Sequence, residues 1–193
     1  KNSPNPWEFY NEGNVDHNNT DRLVFNEVYD NSGKLSEWYM QVRGEADEYC
    51  VWINKDASTT WQSVNNATGW MIDFEYETAS ASDLDLSYQA LKVFDGTYEL
   101  ELRIYANQTV SIISGDNTST ANIPTSTTYQ NQFRLAVQGK DVSVYYAKNN
   151  VAIIEEEDFL DIETKGKSIM FGKTNVDSPR CYGNWTSLYY YID

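Results

Sequence analysis

Three acidic residues, Asp73, Glu75 and Glu77, stand two apart in the segment Gly69-Trp-Met-Ile-Asp-Phe-Glu-Tyr-Glu77. In an extended chain alternate side chains share a face. All three carboxyls therefore point one way, and Trp70, Ile72, Phe74 and Tyr76 point the other. Paired carboxyls on one strand can act as nucleophile and acid in a retaining glycosidase. The plainer alternative is the solvated outer face of a half-buried strand. A second polar row, Glu99, Glu101, Arg103 and Tyr105, alternates with Leu100, Leu102 and Ile104. A third pairs Arg134 and Gln138 against Phe133, Leu135 and Val137. Acids, amides, phenols and guanidiniums on such faces hydrogen-bond sugar hydroxyls; the alternative is cross-strand ion pairing of Arg with neighbouring Glu.

The chain carries 15 Tyr and 6 Trp against 7 Phe, so amphipathic rings outnumber purely apolar ones. An exposed ring of this kind stacks on the apolar face of a pyranose. Trp38 adjoins Tyr39, so one of the two faces away from a core. Trp52 has the parity of Cys50, opposite to Tyr49, Val51 and Ile53. Trp61 lies in the loop-like run Ser58-Thr-Thr-Trp-Gln-Ser63, and Trp185 follows Gly183-Asn184. Trp61 is the ring expected to be exposed. The alternative is rim packing that closes the ends of the fold.

Strands must position these residues. Alternating segments recur over 22–29, 37–42, 49–53, 70–77, 98–105, 109–113, 133–138, 142–146, 151–154, 168–172 and 187–192, divided by Gly, Asn, Asp and Ser turns. Only Glu155 to Glu163 has room for a helical turn or two. The 193 residues predict a single all-β domain spanning 1–193, a two-sheet antiparallel sandwich with a shared core. With 14 Lys and Arg against 29 Asp and Glu, the formal net charge of −15 excludes nucleic acid and anionic membrane as partners. No apolar run is long enough to cross a bilayer. The only cysteines, Cys50 and Cys181, read either as one long-range disulfide or as two inert thiols. The disulfide is the expectation; it would contribute about 4–5 kcal/mol in the chain-entropy account. Five Asn-x-Ser/Thr patterns, at Asn18, Asn66, Asn107, Asn117 and Asn184, fit a glycosylated secreted chain.

Three segments in order resemble the concanavalin A-like, laminin-G-like jelly-roll superfamily: Gly-Trp-Met-Ile-Asp-Phe-Glu-Tyr at 69–76, Phe133-Arg-Leu-Ala-Val-Gln-Gly-Lys-Asp-Val-Ser-Val-Tyr-Tyr146, and Ser168-Ile-Met-Phe-Gly172 with Trp185 to Asp193. The resemblance covers 69–193 and implies a jelly roll, a fold shared by lectins, carbohydrate-binding modules, glycoside hydrolases and polysaccharide lyases. Residues 72–77 are also similar to the catalytic strand of jelly-roll glycosidases, but Met71 stands where that strand carries its nucleophile. Polysaccharide lyases of this architecture use Tyr with Arg and an amide, which Tyr105, Arg103, Arg134 and Gln138 match in kind, while His17 lies outside the matched region. The superfamily's structural Ca²⁺ implies a site at Asp193 with Glu8 or Glu12.

These readings converge on an extracellular glycan-binding module, secreted or displayed at the cell surface. Its expected ligand residues are Trp61, Trp38, Trp52, Trp185, Glu99, Glu101, Arg103, Tyr105, Arg134 and Gln138. The runner-up is a polysaccharide lyase or glycoside hydrolase that draws on Asp73, Glu75, Glu77, Tyr105 and Arg103. A third reading is a structural or adhesive surface protein that self-associates. Charge on strand faces argues against a uronate-rich substrate unless Ca²⁺ intervenes, and favours neutral glycans or cation-assisted binding.

Overall fold

The computed structural model describes residues 7–12, 23–29, 35–46, 49–54, 60–65, 67–124, 131–146, 151–163, 166–175 and 177–192. Fourteen strands run through them: β1 (Trp7–Glu12), β2 (Leu23–Tyr29), β3 (Leu35–Gly44), β4 (Tyr49–Asn54), β5 (Trp70–Ala81), β6 (Tyr88–Phe94), β7 (Glu99–Tyr105), β8 (Thr109–Ser114), β9 (Asn117–Asn122), β10 (Asn131–Gln138), β11 (Asp141–Tyr146), β12 (Val151–Glu156), β13 (Ser168–Lys173) and β14 (Cys181–Ile192). They form two seven-stranded sheets. The front sheet runs β1-β4-β13-β6-β7-β8-β9 and the back sheet β12-β11-β10-β5-β14-β3-β2. Neighbouring strands pair antiparallel throughout. A single 3-10 turn, Thr60–Ser63, is the only helical element among the described residues. No described helix is long and apolar enough to cross a membrane.

Alternation explains the layering. Trp70, Ile72, Phe74 and Tyr76 of β5 point into the core, and Asp73, Glu75 and Glu77 point out, as the sequence pattern predicts. Leu100, Leu102 and Ile104 of β7 do the same from the front sheet. Phe133, Leu135, Val137, Val142 and Val144 extend the core across β10 and β11. Three strands lie outside the segments read from the sequence: β1, β6, which is buried on both faces, and β9, Asn-Thr-Ser-Thr-Ala-Asn, which has no alternation of apolar and polar residues to mark it. The helical turn expected within 155–163 is absent. Strand β12 runs to Glu156, Asp158 takes a left-handed φ of 52°, and Phe159 and Leu160 tuck into the core on the Lys140 carbonyl.

Two polar side chains lie between the sheets. Gln89 of β6 donates to the carbonyls of Val42 (2.7 Å) and Cys181 (3.0 Å) and accepts from Trp185 Nε1 (2.7 Å). It thereby bolts the front sheet to the back. Lys173 of β13 is fully buried and reaches the Asn175 carbonyl at 2.6 Å. Its stem lies where a Cβ on Gly44 would stand. Gly44→Ala is expected to destabilise by about 1–3 kcal/mol through overpacking, read as a lowered urea midpoint with an unchanged denaturant slope.

The disulfide expectation is corrected: Cys50 and Cys181 are buried thiols in separate sheets. Burial pushes the Cys181 thiol from 9.0 to about 11, against weaker opposing pulls from the Tyr76 hydroxyl and Lys173. The folded state thus holds this proton more tightly than the unfolded chain. The resulting stabilisation is complete below pH 9 and is lost as pH rises toward 11. Unfolding free energy is expected to fall over that window by an amount of order 2 kcal/mol, and Cys181→Ala to flatten the fall.

Candidate functional site

The outer face of the front sheet gathers the second polar row. Register sets Tyr105, Arg103, Glu101 and Glu99 of β7 opposite Tyr88, Ala90, Lys92 and Phe94 of β6. Arg103 Nε donates to Glu101 Oε1 at 2.8 Å, and Thr174 Oγ1 donates to the same oxygen at 2.9 Å. Lys92 pairs with Glu99 and stands 3.8 Å from Glu101 Oε2. The Arg103 guanidinium lies 4.7 Å from the centre of the Tyr88 ring, which leans on Tyr105 at 5.1 Å. Small residues floor the middle: Ala90 pairs with Gly172, and Gly172 with Val51. Beside this floor, Val51, Phe94 and Met170 form a small apolar cluster of their own.

This face is recessed. Outward-pointing Glu101 is only 7% exposed and Tyr88 4%. Charge is balanced, two cations against two carboxylates. Burial disfavours the Arg103 charge, but the hydrogen bond and the charge of Glu101 outweigh it and hold the guanidinium protonated. The Tyr88 hydroxyl has no hydrogen-bond partner; the Asn175 side chain reaches toward it without closing a bond of normal geometry. Burial pushes this phenol above its ordinary value despite the opposing pull of Arg103. It therefore stays a proton donor at neutral pH.

The remaining predicted residues fall elsewhere. On the outer face of the back sheet, Arg134 clamps Asp73 through two bonds of 2.7 and 2.9 Å. Gln132 donates to Glu75 at 2.6 Å. Glu77 lies farther along the same face, opposite Asn184 in register. Gln138 is exposed at the end of β10, paired with Asp141. The ligand set read from sequence is thus divided between opposite sides of the sandwich.

Two tryptophan expectations are corrected. Trp61 is 0% exposed: the 3-10 turn folds it under the sheets, where Nε1 donates to the Phe94 carbonyl (3.1 Å) and the ring meets Trp70 and Tyr190 edge-on. Trp185 is 3% exposed, packed among Phe74, Tyr76 and Phe171. Isolated polar flanks concealed both, because a loop-like residue can be drawn inward by distant strands. The side chains of Trp38, Trp52, Glu8 and Glu12, and Asp193 as a whole, lie outside the described residues. Among the described residues no three acidic, Cys or His side chains group as a metal site. Tyr88, Lys92 and Thr174 escaped the sequence reading. Tyr88 and Lys92 sit in a strand without alternation, and Thr174 in the turn after β13.

No family model and no curated protein matches the chain. Solved structures do. Cellulose induced protein, Cip1, is 12% identical at a TM-score of 0.60, over 97% of this chain and 91% of Cip1. A botulinum neurotoxin DC binding domain, solved in complex with SialylT, is 10% identical at 0.59. That match covers 96% of this chain, which spans only 42% of the toxin domain. The alginate lyase AlgAT5, of polysaccharide lyase family 7, is 8% identical at 0.54, over 87% and 82%. At these identities the likeness is one of fold. The chain shares with them its fold, a two-sheet antiparallel jelly-roll sandwich.

Proposed function

We propose that the chain is an extracellular glycan-binding module that takes a neutral sugar chain on the recessed outer face of the front sheet. The observation that carries this reading is the Tyr88 hydroxyl. A buried hydroxyl without a partner costs about 1–3 kcal/mol, and a sugar hydroxyl that displaced the groups covering Tyr88 and Ala90, which are 4% and 0% exposed, would accept its hydrogen bond. Arg103, Glu101, Lys92 and Thr174 offer donors and acceptors already oriented by one another, which lowers the ordering cost of binding. The half-buried Tyr105 ring supplies apolar surface for sugar C–H faces. The paired cations and carboxylates leave no net charge to attract a uronate. A toxin binding domain solved in complex with SialylT and an alginate lyase share the fold, which lends general support.

The same face bears on the lyase alternative. Proton abstraction by a phenol needs its pKa lowered toward neutrality; burial moves Tyr88 the other way, so a lyase on this face would have to draw on Tyr105. A glycan array run with and without EDTA tests the proposal and any calcium requirement. Binding to neutral polysaccharides is expected. Silence across neutral and acidic glycans, or release of unsaturated sugars from a bound polymer, would sink it.

A further inference from the structure

The back sheet holds a second arrangement that the front face does not use. On β14 the run Tyr189-Tyr190-Tyr191 alternates: Tyr190 turns inward against Trp61 at 5.6 Å, while Tyr189 and Tyr191 are 63% and 49% exposed. Two large rings thus stand on one strand face about 7 Å apart. Register sets Tyr145, Arg134, Asp73 and Tyr189 in one row across β11, β10, β5 and β14. Gln132, Glu75 and Ser187 make the next row. Between the rows lies an open depression of about 220 Å³, lined by Asp73, Glu75, Gln132, Arg134, Ser187 and Tyr189.

We propose that this depression is a second saccharide subsite. Sugar C–H groups would lie on Tyr189, with Tyr191 one row beyond the depression to extend the apolar surface, and hydroxyls would meet the Arg134–Asp73 fork and the Gln132–Glu75 pair. The chemistry selects a neutral polyol. Arg134 already has its charge matched by Asp73 through a bidentate clamp, so no cation is left to call for an anion. Each polar group is held by a partner on the adjacent strand and needs little reordering to accept a hydroxyl. Tyr189 and Tyr191 have outward exposure that no packing role accounts for.

The consequence is bivalency, which rests on the front-face reading. Two ligands held on opposite sheets cannot touch, so one domain bridges two polymer chains and gains avidity on a dense polysaccharide. The test uses the intact chain with cello-oligosaccharides and galactomanno-oligosaccharides in calorimetric titration, and with galactomannan in a turbidity assay. Wild type is expected to take two oligosaccharides per chain and to cross-link the polymer. Tyr189→Ala/Tyr191→Ala, a surface change that keeps the melting temperature, is expected to take one and to lose cross-linking, while Tyr189→Phe keeps both. Arg103→Ala is expected to retain only the back-face site. Unchanged stoichiometry and turbidity in the double tyrosine variant would overturn the proposal, as would failure of wild type to bind either oligosaccharide. Loss of binding in the tyrosine variant with none in Arg103→Ala would leave the back-face subsite standing and remove the front-face one.

Discussion

Arg103→Ala is expected to weaken front-face glycan binding by about 30-fold or more, equivalent to about 2 kcal/mol. The guanidinium does three things on that face. It donates to Glu101, lies over the Tyr88 ring and stands in the row that crosses Ala90 and Gly172. Its removal strips a ligand donor and leaves a carboxylate that is 7% exposed with one fewer partner. Arg103→Lys is not expected to rescue, because an ammonium cannot reproduce a planar group stacked on a ring while hydrogen-bonded to an acid. Tyr88→Phe separates ligand binding from folding. It removes only the hydroxyl that lacks a partner, so stability should hold or rise slightly while affinity falls about tenfold. Calorimetry and thermal melts on the same samples read both. A Tyr88→Phe protein with wild-type affinity would remove the observation on which the functional reading stands.

Trp185→Ala is expected to cost about 3–5 kcal/mol, the range for deleting a buried Trp side chain. In a domain of this size that lowers the melting temperature by about 10 °C. The ring fills the middle of the sandwich among Phe74, Tyr76 and Phe171, and its Nε1 holds Gln89 Oε1. Truncation opens a cavity and also leaves a buried amide oxygen wanting a donor. Trp185→Phe keeps most of the packing and should cost well under half as much. A melting temperature unchanged in the alanine variant would mean that Trp185 does not sit in the core.

Much of the candidate site was legible in single strands. The alternation of 70–77 and 98–105 sends Asp73, Glu75, Glu101 and Arg103 outward, because a pleated chain has a period of two and only one side of each strand meets the core. Pairing between strands was not legible to the same degree. Glu101 was read as a partner for Arg, and the structure supplies that Arg from two residues along the same strand and a lysine from the neighbour. Arg134 was grouped with Arg103 on chemical type, yet it belongs to the opposite sheet and to Asp73.

The aromatic residues mark the limit of sequence reasoning here. Trp61 looks like a loop residue and is the largest of the fully buried side chains among the described residues; Tyr189 and Tyr191 look like any strand residues and are exposed. By itself the sequence determined the strand-rich class, the jelly-roll resemblance, the inward and outward sides of each alternating strand and the acidic surface. These follow from backbone periodicity and composition, which are local. Only the tertiary structure decided which sheet each strand joins, which rings are covered, that the two thiols lie in separate sheets, and that polar residues from distant segments meet on two separate faces. Those outcomes depend on cross-strand register and on packing between sheets. Both are set by contacts between residues far apart in the chain, and no local pattern encodes them.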